Sequence, residues 1–490
     1  MGTLKIGMYE QDITPSGPVN LPGQFYKRVS THVESEIKAE IFVCEADGEQ
    51  VIIAALDAGS IMKELSARVR ERVSAMNSEI DVKKIILSAT HIHTAPGCKI
   101  DTTVRPFDKI RKYFPDDYKY IEATEENNFM DEPLYFEFLA EKVAEGIVKA
   151  WEKRDTAYIA QEFGRAVVGH SRRVCYNDGS AKMYGIADKA TFSEMESGND
   201  TGVELLYVFD KDKKPMGALV NIACPAQVLE HCSFVSSDYW GKAREMVKEK
   251  VEGFVVVGLC GAAGCQAPRD MIRFILPDTL DPNLTRDNQQ RPRMTDPDMY
   301  AIEGAIEIGE RVSYVILKKL EKARNNMISE AVLKHEVENC ALPIRRATES
   351  DRLKALENIR KYIERLEKKE YTAYDTAALH VETGILDRYQ LQETVTLIKP
   401  EVHYVRLGNI AIVTNPFELF LDYGNKMKAR SHAQQTFVVQ LACESFGYLP
   451  TEKAEKGSHY SAYISSGFCG HEGGELLVSK TLDAIKRMFA

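Results

Sequence analysis

The chain has 490 residues, 44% of them hydrophobic and 28% charged, which is the composition of a globular protein large enough for one big α/β domain or two smaller ones. A formal net charge of -10 argues against nucleic acid as the main partner. No run of 18 apolar residues is present, so no membrane span is expected, and the start MGTLKIGMYEQDI lacks the apolar core of a secretion signal. The ten cysteines are scattered without a CxxC or a regular spacing, which fits reduced thiols and a cytoplasmic setting.

In chain order, residues 40–56 read as a hairpin, with two apolar runs flanking the turn dipeptide Asp47-Gly48. Residues 62–77 follow as an amphipathic helix and 84–89 as a buried strand that runs into His91 and His93. Residues 98–128 are polar, aromatic and irregular, suited to a lid or an insertion. Leu139, Val143 and Ile147, spaced by four, predict a helix over 133–154. Paired strands are expected at 202–209 and 218–223, then a turn at 224–227, then a helix through 250 capped by Asp238. Residues 254–259 form a buried strand that ends in the glycine-containing turn GAAGCQAPRD (261–270). The charged stretch 318–369 reads as a solvated helix or a helical hairpin on the periphery, and strands return at 401–416 and 435–442. There is no internal sequence repeat. Strands and helices alternate nearly throughout, which predicts a single α/β domain over 1–490 with a large, mixed, twisted sheet flanked by helices.

Polar groups cluster where these strands end, the usual place for a site in an α/β sheet. A strand that delivers His91 and His93 to a turn can build a metal or acid/base site, because imidazole both ligates and carries protons near neutrality. The small residues of 261–267 allow close approach of backbone N–H groups to a ligand, and Arg269 can pair with an anion; a tight turn explains them equally well. Arg172 and Arg173 end a strand, and Glu418 follows the strand IAIVT, where a carboxylate can ligate, act as a base or cap the next helix. Tyr448, His459, Tyr460 and Tyr463 are too polar and too clustered for core packing alone.

In this order the segments resemble the N-terminal catalytic domain of the neutral ceramidases, which are zinc-dependent amidases. QDITPSGPVNLPGQF resembles the family's DITGP…MxGY opening, ATHIHTAPG its THTHSGPG signature, GAAGCQAPRD its GDxSPN-type turn, and PFE with GYLPT…Y its late Glu and Tyr segments. The family's C-terminal immunoglobulin-like domain has no counterpart in the chain. The resemblance implies a neutral-ceramidase-like fold and a zinc site of His91, Glu418 and Tyr448. It also implies that His93 handles protons or contacts substrate, that Arg172 lies in the pocket and that Tyr460 stands beside the substrate. The family's second zinc histidine, in an HPT turn ahead of an SSD segment, falls on Cys224, for which His231 is the substitute. Cys265 and Ala267 stand where the family's turn has Asp and Ser, so that hydroxyl is missing. The expected function is a zinc-dependent hydrolase of an amide-like C–N bond in a small soluble substrate. The alternatives are a cysteine hydrolase using Cys265 or Cys224, and a non-catalytic relative that keeps a ligand pocket. Oligomerisation is left open.

Overall fold

The computed structural model describes residues 2–24, 28–98, 100, 110, 130–273, 297–368 and 373–490. Most of the expected 98–128 insertion, and most of residues 270–300, lies outside the described residues.

Three principal sheets carry the architecture. The first runs Ile85–Ala89, Glu49–Leu56, Lys38–Ala46, Lys5–Asp12 and the short Asp155–Thr156. The second runs Val255–Cys260, Pro215–Ile222, Gly202–Phe209 and Tyr158–Arg165; the third runs Leu333–Asn339, Glu401–Leu407, Ile410–Thr414 and Gln435–Val439. Each sheet repeats one arrangement, whose elements the sequence shows in order at 40–89 and again at 202–259. An antiparallel hairpin is followed by a crossover helix and a strand parallel to the hairpin's second arm. The crossover helices are Lys63–Met76, Asp238–Lys248 and Leu421–Arg430. A parallel pair needs such a crossover, and the hairpin turn shows why the first arm pair forms: Asp47 and Gly48 both adopt positive φ (50° and 80°), as a two-residue hairpin loop requires.

Alternate residues of the strands serve two cores. One set, including Phe42, Ile53, Leu206, Leu219, Ile412 and Phe437, meets in a core shared by all three sheets. The other set of the first two sheets, such as Ile41, Val43, Leu205 and Tyr207, packs under helices including Glu132–Glu152 and Ile302–Ala323. In the third sheet the corresponding set, with Tyr404, Ala411, Val413 and Val438, packs under the C-terminal helix His471–Phe489. Both faces of each sheet are therefore covered, and the mixed α/β architecture is the expected one, with its strands divided among several sheets.

Two expectations differ from the structure. The 318–369 stretch is not a continuous helical hairpin: the strand Leu333–Asn339 interrupts it, and the helical hairpin lies later, at Glu349–Glu367 and Ala373–Leu391. Charge hid the strand: only Leu333 and His335 are buried, and Lys334, Glu336 and Glu338 place a charge at every second position. Asp238 is the first residue of its helix, not the cap, with a left-handed φ of 54°. Its fully buried carboxylate accepts from the Leu229 and Tyr239 amides, and so ties the 224–237 loop to the helix.

Candidate active site

The carboxyl ends of the parallel strand pairs converge, and the polar residues of the sequence analysis lie on the segments that leave them. His91 follows Ile85–Ala89, Cys224 follows Pro215–Ile222, the 261–267 turn follows Val255–Cys260, and Glu418 follows Ile410–Thr414.

His91 is held unusually. Its φ is 64°, a left-handed conformation that a side-chain-bearing residue keeps only when its surroundings enforce it. Its amide donates to the Ala58 carbonyl at 3.1 Å, and its Nδ1 lies in a short contact with the Gly59 carbonyl. The Asp57–Gly59 bend is anchored from behind, since Asp57 receives both arms of the buried Arg244 guanidinium at 2.5 and 3.0 Å. A carbonyl can only accept, so Nδ1 carries a proton and Nε2 is the nitrogen left to face the site. It points at Glu418, with Nε2 to Oε2 at 3.3 Å.

Glu418 pairs in parallel register with Tyr448 in a two-residue strand, which sets the carboxylate beside the phenol. Burial alone would raise the pKa of Glu418. Its hydrogen bond to His91, the charges of His91 and Arg172 and a bond from Tyr448 more than offset that, so the carboxyl sits below its ordinary range. The Gly264 residue of the 261–267 turn lies so close that a methyl there would stand 2.8 Å from the Glu418 carbonyl carbon. Arg172, 3% exposed, donates to Tyr448 Oη at 3.4 Å, Tyr184 Oη at 3.2 Å, the Gly264 carbonyl at 3.1 Å and Gln227 Oε1 at 3.4 Å. Tyr448 and Tyr460 pack edge to face at 5.5 Å with their hydroxyls 3.5 Å apart. Burial pushes the Tyr460 phenol up to about 12, with the charge of Glu418 adding to the rise.

His93 sits edge-on to His91 at 5.2 Å between ring centres. Its tautomer follows from the donors around it. Arg172 can only donate, so the Gln227 oxygen faces it and the Gln227 amide nitrogen donates to His93 Nε2 at 2.9 Å. The His93 proton therefore lies on Nδ1, 3.5 Å from Glu230 Oε2, while Arg269 pairs with Glu230 Oε1 at 2.7 Å. Burial, followed by the charges of His91, Arg28 and Arg172, holds His93 well below the usual imidazole range. Gly23 has a φ of 104° and packs against the ring; a Cβ there would lie 2.6 Å from His93 Cγ.

The tyrosine loop is held by the neighbour of Arg172. Ser458, His459 and Ser461 all have left-handed φ values, of 59°, 77° and 72°. Arg173 is fully buried, pairs with Glu196 at 2.9 Å, and donates to the carbonyls of Ser458 (2.8 Å), Tyr460 (3.0 Å) and Ala454 (3.3 Å). Adjacent arginines thus point opposite ways: Arg172 enters the site, and Arg173 fixes the loop that presents Tyr460.

The thiols of this region stand apart. Cys224 is fully buried, with Sγ directed at the Pro225 carbonyl at 3.4 Å and its pKa raised by burial. Among the described residues, the donor atoms of His91, Glu418 and Cys224 do not all fall within 4.8 Å of one another. His231 is nearly half exposed, 3.6 Å from Glu230 and stacked on Tyr300. Cys265, also fully buried and raised by burial, turns toward Ser197, away from the imidazoles, and Ala267 pairs with His170 in a short strand. Arg269, expected to pair with an anion, pairs with Glu230; Gln227, Glu230 and Tyr184 are the residues that reading the sequence missed. The tight turn Cys224–Gln227 was the only local signal for any of them.

No family model matches the chain, and no curated protein matches its sequence. Solved structures similar to it include two ceramidases. The neutral ceramidase from Pseudomonas aeruginosa superposes with a TM-score of 0.66 at 14% identity, covering 100% of this chain and 74% of that one. A ceramidase complexed with C2 gives 0.65 at 13% identity, covering 100% of this chain and 75% of that one. What the comparison establishes is the architecture: this chain has a neutral-ceramidase-like fold.

Proposed function

We propose that the chain is a metal-dependent hydrolase of an amide-like C–N bond, with zinc as the metal. The observation that carries this reading is the pairing of His91 with Glu418. With Nδ1 held by the Gly59 carbonyl, Nε2 faces a Glu418 carboxylate oxygen at 3.3 Å, an arrangement that a proton closes in the metal-free protein and that a cation can take over. Zn–N and Zn–O bonds of about 2.0–2.2 Å in a tetrahedron set two donors about 3.4 Å apart, so the spacing suits zinc. A backbone carbonyl on the far nitrogen is also the usual support for a ligating histidine. His91, Glu418 and Tyr448 would hold the ion. Cys224 fits the fourth position only if its thiol turns from the Pro225 carbonyl toward the cluster. When bound, zinc supplies Lewis acidity and a water of lowered pKa.

The chain's own residues supply the rest. His93, neutral with its lone pair on Nε2, accepts a proton once substrate displaces the Gln227 amide, and Glu230 stabilises the resulting imidazolium through Nδ1. Arg172 places a buried positive charge beside Tyr448, where it stabilises negative charge developing on the substrate carbonyl. Tyr460 donates a hydrogen bond as a phenol that stays protonated. The cysteine-nucleophile alternative is not supported: Cys224 and Cys265 are buried thiols with raised pKa, poor sources of thiolate. The described helices include none long and apolar enough to cross a membrane, and all ten cysteines are free; we take the substrate to be small and soluble and the compartment to be the cytoplasm.

The test is metal content by elemental mass spectrometry on protein purified without chelator, with His91→Ala, Glu418→Ala and Cys224→Ala alongside. Zinc bound by the wild type and lost on replacing His91 or Glu418 supports the reading. Loss on replacing Cys224 adds the thiol as fourth ligand, and retention leaves that position to water. A wild type that takes up no zinc when offered it removes the metal-hydrolase reading.

A further inference from the structure

A second cluster of ligating atoms lies apart from His91 and Glu418, at the start of the third sheet. Glu401 and His403 alternate along one strand and so project to the same face. His403 Nε2 stands 2.9 Å from Glu401 Oε1 and 3.6 Å from Cys443 Sγ. Among the described residues, this is the one trio of His, Cys, Asp or Glu donor atoms that all lie within 4.8 Å of one another.

The hydrogen bonds behind the cluster decide which way its histidine faces. The Gln50 carbonyl, 2.9 Å from His335 Nδ1, can only accept, so that nitrogen carries the proton. His335 Nε2 and His403 Nδ1 are hydrogen-bonded at 2.9 Å, which fixes the plane and the facing of the second ring. The remaining nitrogen, His403 Nε2, faces a carboxylate oxygen and a thiol. Arg70 forks onto Glu401 at 2.5 and 3.0 Å and lies 3.8 Å from Cys443 Sγ, so it fixes the carboxylate without supplying a proton to the imidazole.

The backbone at Cys443 is strained as well. Leu441 and Cys443 have φ values of 53° and 62°, conformations that cost about 1–3 kcal/mol each for residues with a side chain. This segment is stitched to the strand that delivers His91, through Ala89 to Leu441 and Cys443 to Leu87. It also joins the turn that delivers Glu418, through Leu441 to Phe417 and Ala442 to Asn415.

We propose that Glu401, His403 and Cys443 form a second, structural metal site for a borderline-soft divalent cation such as zinc, pinning the strained 441–443 segment to the third sheet. Zn–N and Zn–S bonds of about 2.05 and 2.3 Å place the two donors about 3.6 Å apart in a tetrahedron, which is the spacing of His403 and Cys443. Glu401 opens outward by about half an ångström to reach the corresponding N–O separation. On binding, the Cys443 thiol releases its proton to solvent at the edge where Glu401 is 21% exposed. The hydrogen bond between His403 Nδ1 and His335 Nε2 orients the ligand ring, and the Arg70 fork orients the carboxylate.

The test uses cobalt(II) as a spectroscopic stand-in for zinc, in the full chain carrying Cys224→Ala so that the other candidate thiol is silent. Titration should give a near-ultraviolet thiolate-to-cobalt charge-transfer band that rises to saturation. The band should vanish when Cys443→Ala is added, while cobalt bound through His91 and Glu418 remains. No band in the Cys224→Ala protein, or a band that survives the second substitution, overturns the proposal. Should the double variant fail to fold, X-ray absorption of the cobalt-loaded Cys224→Ala protein decides: a sulfur scatterer in the first shell supports the site, and an all-nitrogen and oxygen shell rejects it. Neither readout depends on catalysis, so the hydrolase reading can fail while this site stands, and the reverse.

Discussion

Gly264→Ala is the smallest change that should disturb the site. The added methyl would lie 2.8 Å from the Glu418 carbonyl carbon, nearer still to its oxygen, and 3.1 Å from the Phe420 ring. Comfortable contacts between such atoms begin at about 3.5 Å, so one backbone must retreat by roughly 0.7–1 Å. Neither is free to do so. Gly264 donates to the Leu419 carbonyl at 2.8 Å, Glu418 donates to Gly447 at 2.9 Å, and Gln440 accepts from Leu419 at 3.0 Å. Overpacking of this kind costs about 1–3 kcal/mol, and a carboxylate displaced by about 1 Å can lower turnover about a hundredfold. The assay is urea unfolding and zinc affinity of Gly264→Ala against Gly17→Ala, whose added methyl meets nothing within 4 Å. Should the two variants agree within about 0.5 kcal/mol and bind zinc equally, the turn does not brace Glu418 and the reasoning is refuted.

Further outcomes follow from the same geometry. Arg173→Met strands the buried Glu196 and frees the carbonyls of Ser458 and Tyr460, which should cost about 3–5 kcal/mol and expose the 458–463 loop to protease before the rest of the chain; equal proteolysis rates would contradict the clamp. Glu40 is fully buried, sharing Arg244 with Asp57, and burial first, then the nearby charges of Glu10 and Asp57, raises it from 4.5 to about 8. A raised pKa means a contribution that is whole below about pH 4.5 and is lost as pH climbs through about 8. Glu40→Gln should therefore gain on the wild type over that window, by up to about 5 kcal/mol, and parallel stability curves from acid to alkaline pH would exclude this. Chelation should release metal from wild type and lower its melting temperature; a protein that loses its metal and melts unchanged would show that the ion does not support the fold.

What could be read from the sequence was whatever a single strand end displays. His91 and His93 stand out because an apolar run stops at them, and Glu418 because it follows IAIVT within four residues. Glu-x-His at 401–403 carried the same kind of signal, two ligating types on one strand face, and was passed over. Glu230 and Gln227 could not be found this way. Their meaning depends on the opposite end of an imidazole more than 130 residues away, and no local pattern records that. The strand at 333–339 was lost for another reason. Its charges mimic a solvated helix, and only the pairing with Glu401–Leu407 outweighs that preference.

The threefold use of a hairpin, a crossover helix and a parallel strand bears on how the chain reaches its native state. Each unit is built largely from near neighbours in sequence and can begin to form by itself. The pair of atoms that defines the site, on residues 91 and 418, is closed only when the first and third units dock across their common core. Groups that far apart pay a heavy loop-closure entropy before they meet, so the site should be among the last features to assemble. Refolding followed by zinc capture should then lag behind refolding followed by helical signal, and the lag would time the docking of units already made.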